Sequence, residues 1–172
     1  PDGTLLCLDE KPGIQIVERK LVLPLWPGKV AHREFEYVRH GTLDLFAAFM
    51  VCSGWVYGRC YRQHRAVDLV AFLDYLDRVL PVREYGVLHL VSDNLATRTA
   101  PPTLEWMEQH RGRVVWHFLP KHASWLNQVE IWFSTLQRKG LAHGSWCSYQ
   151  VLQQHILTFI RTYNQRWAHP YR

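Results

Sequence analysis

The sequence predicts an α/β domain, a mixed sheet with helices on its faces. Three observations carry that prediction. The run GVLHLVSD (86–93) is short and almost wholly apolar, as a central strand buried on both faces requires. HRAVDLVAFLDYLDRVL (64–80) repeats Val67, Val70, Ala71, Leu73, Leu76 and Leu80 at helical spacing. From there strand-like and helix-like segments alternate, the pattern of helices crossing over a sheet.

TLLCLDE (4–10) is a strand ending in acids. The stretch 12–41 is rich in Pro, Gly and charge and is expected to be a long irregular surface excursion. Its PGK lacks the spacing of a phosphate-binding loop. LDLFAAFMVCSGWVYGRCYR (43–62) reads as two strands around a turn at Ser53-Gly54. Pro81 stops the helix at 64–80. Pro101-Pro102 open a helix to about His110, Gly112 ends it, and RVVWHFLP (113–120) is another strand. A helix follows from about Ser124 to Lys139. SYQVLQQHILTFIRTYNQRW (148–167) is the last helix, with Ser148 as its cap. No internal repeat or low-complexity tract interrupts this order, so 1–172 is expected to be a single domain.

At 172 residues, 48% hydrophobic and 20% charged, the chain is globular in composition. A formal charge of +5 favours a polyanionic partner. Cys7, Cys52, Cys60 and Cys147 are scattered, forming neither a CxxC pair nor a disulfide framework, which fits a reducing cytoplasm. The ten histidines show no HExxH. No apolar run approaches the roughly 18 residues that span a bilayer, so no membrane partner is expected.

Three carboxylates stand beside apolar structure. Asp9 ends the first strand, Asp93 ends GVLHLVSD, and Glu130 lies in the helix HASWLNQVEIWFS (122–134). On that helix Leu126, Val129, Phe133 and Leu136 form the apolar stripe, and Glu130 falls roughly 40° from Leu126, bordered by Asn127, Ser134 and Gln137. A carboxylate at a core edge is costly unless it is paired or bound to a cation. Three acids from three elements suit an oxygen-ligand metal site, and two Mg²⁺ ions so held can clamp the attacking and leaving oxygens of a phosphodiester. Glu10 competes with Asp9 for the role, since adjacent strand residues face opposite sides. Asp93, followed by Asn94, also reads as a turn former.

LCLDEKPGIQIVERK (6–20), HGTLDLFAAFMVCSG (40–54), LVSDNLATRTAP (90–101) and LPKHASWLNQVEIWFSTLQRK (119–139) together resemble the catalytic domain of a DDE transposase. The branch is the bacterial insertion-sequence six-thirty family, related to the mariner transposases. The resemblance implies a ribonuclease-H-like fold and matches the family's acids to Asp9, Asp93 and Glu130, choosing Asp9 over Glu10. It implies Mg²⁺ or Mn²⁺ as cofactor, as a pair of ions, and DNA as substrate. Phosphodiesters at element ends are hydrolysed and the freed 3′-hydroxyls joined to target DNA, usually at TA. It further implies a dimer on DNA and a bacterial, nucleoid-associated location. Asn127, Ser134 and Asn94 are expected to support the acids. Lys121, His122, Arg98, Arg138 and Lys139 are expected DNA contacts, with Arg98 standing where relatives commonly carry His or Lys. The family's N-terminal helix-turn-helix region is absent from this sequence, which is expected to be an isolated catalytic domain. The alternatives are a relic that only binds DNA, or another ribonuclease-H-like nuclease.

Overall fold

The computed structural model describes residues 3–21, 35–93, 96–120 and 126–171. Five strands form one sheet: β1 (Thr4–Leu21), β2 (Phe35–Met50), β3 (Val56–Tyr61), β4 (Leu88–Ser92) and β5 (Val114–Phe118), in the order β3-β2-β1-β4-β5. β1, β2 and β3 pair antiparallel, whereas β4 is parallel to β1 and to β5. The helices are α1 (Ala66–Val79), the short α2 (Val82–Tyr85), α3 (Pro101–Gln109), α4 (Gln128–Thr135) and α5 (Tyr149–Arg166). The mixed sheet flanked by helices is the predicted architecture.

Alternation along the strands divides the interior into two cores. Leu6, Leu8, Phe46 and Ala48 face Leu69, Phe72, Leu73 and Leu76 of α1 and Trp106 of α3. Cys7, Leu43, Leu45, Ala47 and Phe49 face Val129, Trp132 and Phe133 of α4 and Leu152, Ile156 and Ile160 of α5. Ser148 caps α5, its Oγ accepting from Val151 N. All four cysteines are free thiols, and burial pushes that of Cys60 up to about 12. Among the described residues no helix is long and apolar enough to cross a membrane.

Two expectations need correction. Within the stretch 12–41 the described residues are regular: 12–21 continues β1 and 35–41 belongs to β2, paired from Ile14↔Leu43 to Leu21↔Phe35. Pro12-Gly13 breaks the register without ending the strand. Gly13 takes φ +66°, and its N–H donates to Oδ1 of buried Asp44 at 2.7 Å. The result is a bulge immediately beyond the acids of β1. Residues 22–34, including Arg33, lie outside the described residues. The helix expected from Ser124 starts instead at Gln128 and runs on as a π-helical segment, Leu136–Leu141.

Candidate active site

Register brings two of the acids together. Cys7 pairs with Val91 across the parallel β1–β4 ladder. Asp9, inside β1 and not at its end as expected, and Asp93, just past β4, each lie two residues further along, so they sit side by side on the same face. That face lies beneath α4 and α5, since Cys7 belongs to their core and Val91 packs against it.

Arg98 closes the 3-10 turn Ala96–Arg98 after β4 and reaches back between these acids. Its Nη2 donates to Asp9 Oδ1 at 3.1 Å and to Glu10 Oε2 at 2.9 Å. Its Nη1 lies 2.7 Å from Asp93 Oδ1, but no N–H is aimed along that contact. Asp93 Oδ1 is therefore buried with no hydrogen-bond partner among the described residues. The Arg98 side chain is 0% exposed, so the expected DNA contact is corrected: this cation is enclosed by carboxylates. Glu10, which sequence reasoning set aside, belongs to the same cluster. Burial pushes the Asp9 carboxyl up to about 7, against the opposing pull of Arg98, and Asp93 adds to the rise. Glu10 is raised for the same first reason.

The other oxygen of Asp9, Oδ2, accepts from Asn127 Nδ2 at 3.2 Å, and the same amide donates to Leu8 O at 3.0 Å. Asn127 is fully buried and is the N-cap of α4, yet its side chain makes no capping bond. Asn127-x-x-Glu130 has the form of a reciprocal capping pair, but the asparagine is turned to Asp9 instead.

Glu130 is exposed, which corrects the placement at the core edge. Leu126 precedes the helix and is 47% exposed, so it does not share an apolar stripe with Val129, Phe133 and Leu136. The described hydrogen bonds at Glu130 engage its backbone: N–H donates to Asn127 O at 3.0 Å, and its carbonyl accepts from Ser134 Oγ at 3.2 Å. The Ser134 hydroxyl thus binds the helix backbone, not a carboxylate. Arg138 and Lys139 are exposed on the π-helical segment, Lys139 over the Trp167 ring. Asn94, Lys121 and His122 lie outside the described residues.

Among the described residues no group of three Asp, Glu, His or Cys side chains is arranged to hold a metal ion. The chemistry of the donors nevertheless suits a hard divalent cation. Asp9 and Asp93 converge on a single positive charge, and Asp93 Oδ1 and Asn127 Oδ1 are buried oxygens without hydrogen-bond partners among the described residues. Beyond the β1 bulge lies a groove of about 510 Å³, lined by Lys11, Arg19, Arg39, Tyr37 and Trp146 among others, with no acid among the described residues of its lining. Sequence reasoning missed Lys11 and Arg19. Only the continued β1–β2 ladder, with Val17 opposite Arg39 and Arg19 opposite Tyr37, gathers them.

The fold is a ribonuclease-H-like core of the DDE transposase and integrase type. A family model, DDE superfamily endonuclease, matches residues 4–153, and the chain belongs to that family. Among solved structures it resembles the Mos1 transposase paired-end complex with left transposon end, at 19% identity and a TM-score of 0.63, covering 95% of this chain and 53% of that one. The mariner Mos1 paired end complex with Mg is 17% identical at a TM-score of 0.59, with coverages of 98% and 57%. The catalytic core domain of BIV integrase is 16% identical at a TM-score of 0.53, with coverages of 91% and 86%. At these identities the likeness is one of fold, and the chain spans about half the length of the Mos1 chains. No curated protein sequence matches it.

Proposed function

We propose that this chain is the catalytic domain of a DNA transposase of the insertion-sequence six-thirty branch, which cuts phosphodiesters at element ends and transfers the 3′-OH ends into target DNA, at TA, as a dimer in a bacterial cytoplasm. The observation that carries the reading is the placement of Asp9, within β1, beside Asp93, just beyond the parallel neighbour β4, around one buried cation, in a DDE endonuclease chain. The Mos1 complexes, whose descriptions name transposon ends, strand transfer, Mg and Mn, support the substrate and the cofactor.

Asp9 and Asp93 would hold Mg²⁺ or Mn²⁺, with Glu130 contributed from the first turn of α4. Such an ion would neutralise charge on the phosphorane-like transition state and activate the attacking oxygen. The protein's own residues position the ligands. Asn127 fixes Asp9 Oδ2 from one side and Arg98 fixes Oδ1 from the other. Each chemical step exchanges one P–O bond for another: water attacks phosphorus and the 3′-oxygen leaves, then that 3′-OH attacks a target phosphorus and displaces the target strand's own 3′-oxygen. No external energy is needed, so catalysis consists of positioning and charge stabilisation. Lys11, Arg19 and Arg39 would carry the DNA backbone past the acids, a contact weakened by salt.

The test is nicking of supercoiled plasmid with Mg²⁺ or Mn²⁺ against EDTA. Metal-dependent nicking by the wild type, lost in Asp9→Asn, Asp93→Asn and Glu130→Gln, supports the reading. Nicking that persists in all three variants refutes it. The hold of Arg98 on the acids favours one second reading, a relic that binds DNA without cutting; it predicts equal DNA binding with and without Mg²⁺ and no nicking.

A further inference from the structure

Arg98 occupies the place where a bridging ion would sit. Its guanidinium touches Asp9 Oδ1 at 3.1 Å and Asp93 Oδ1 at 2.7 Å. A Mg²⁺ ion shared by those two oxygens needs ligand distances near 2.0–2.1 Å. That position overlaps the guanidinium nitrogens, so the two cations exclude each other.

Nor is Arg98 free to step aside. Its side chain is wholly buried, and it also holds Glu10 Oε2 at 2.9 Å, so departure would strand a second buried carboxylate. The turn that carries it is tied down next door, where Thr103 Oγ1 donates to Thr97 O at 2.7 Å. The other side of Asp9 is different. Among the described residues Oδ2 meets the amide of Asn127, whose own Oδ1 has no hydrogen-bond partner there. Asp9, Glu10 and Asp93 against one guanidinium also leave a formal charge of two negatives, which one divalent cation balances.

We propose that the Arg98 side chain replaces one of two metal ions, so that the site takes a single divalent cation, on the Asn127 side of Asp9. Arg98 is then a positioning residue, a fixed positive charge that holds Asp9 and Asp93 together whether or not metal is bound. This rests on the metal-dependent reading given above.

Mn²⁺ titration of the 172-residue chain, followed by the electron paramagnetic resonance of free Mn²⁺, tests it without reference to activity. The expected result is about one ion per wild-type chain, about one for Arg98→Lys, which keeps a cation between the acids, and about two for Arg98→Ala. Thermal melting of each variant establishes that it is folded; if Arg98→Ala is not, Arg98→Gln is read by the same standard. Two ions on the wild type, or one ion on the folded neutral variant, overturns the proposal. Binding to the neutral variant but not to the wild type also overturns it, because Arg98 would then block the site outright. Absence of Mn²⁺ from every variant removes the metal reading itself, a result distinct from either stoichiometry.

Discussion

Asp9 and Glu130 carry the same charge in opposite surroundings. Asp9 is 5% exposed, tied to Arg98 on one oxygen and to Asn127 on the other. Glu130 stands in solvent in the first turn of α4, with the described hydrogen bonds confined to its backbone. The difference follows from what positions each acid. A residue in or just past a strand is fixed by its neighbours in the ladder, and β1 and β4 leave Asp9 and Asp93 side by side. A residue in a first helical turn is fixed by the start of its helix, and α4 begins late enough to turn Glu130 outward. Asp68 of α1 sharpens the contrast: it holds the equivalent position, and there the reciprocal bond does form, Arg65 N–H donating to Asp68 Oδ2 at 3.1 Å. One helix uses its first-turn acid for itself; the other leaves it available.

The largest expected effect sets environment aside. Asp9→Asn, Asp93→Asn and Glu130→Gln should each slow plasmid nicking by at least ~10³-fold if all three are ligands. A Glu130→Gln chain that nicks at the wild-type rate would reduce that residue to a surface acid and break the comparison.

Stability should separate the regions next. Without divalent metal, Arg98→Met leaves buried carboxylates unpaired and should cost about 3–5 kcal/mol in denaturant unfolding. Glu130→Ala should stay within about 0.5 kcal/mol. Similar losses for the two would mean that the Arg98 cluster is not the buried network described.

Asn127→Ala comes third. It removes the donor to Asp9 Oδ2 and Leu8 O and should cost about 1–3 kcal/mol. Because the side chain caps nothing, Asn127→Ser, a better cap, should not restore the loss. Full recovery by serine would assign Asn127 to the helix rather than to Asp9.

The smallest effect is at Asp68, whose carboxyl is held below the usual range by the Arg65 guanidinium. A group with a depressed folded pKa contributes stability above its unfolded pKa and loses it as pH falls through the folded value. Asp68→Asn should therefore lower Tm by about 1–3 °C at neutral pH and by less in strong acid.

Much of this molecule is legible in its sequence. Val67 to Leu80 at helical spacing, the apolar run before Asp93 and the prolines at 101–102 each found their element, because periodicity, caps and breakers act over a few residues, although α1 buries Leu69, Phe72, Leu73 and Leu76 and leaves Val67 exposed. The β1–β2 extension escaped notice because Pro12-Gly13 reads as a break, whereas the chain uses it as a bulge and resumes the ladder at Ile14. Glu130 was misplaced for a related reason. A helical wheel is only as good as its first residue, and Leu126 lies before the helix.

By itself the sequence determined the α/β class, the order of the elements and the position of Asp93 just beyond a short strand, all of which follow from local pattern and chain order. Asp9, expected to end the first strand, lies inside β1, which runs on to Leu21. The tertiary structure alone decided that β1 and β4 are neighbours, that Arg98 is buried among three carboxylates, that Asn127 serves Asp9 instead of its own helix, and that Glu130 faces solvent. Those outcomes depend on which distant segments desolvate one another, and a charged or polar side chain takes its partner from whatever the packed strands and helices leave within reach.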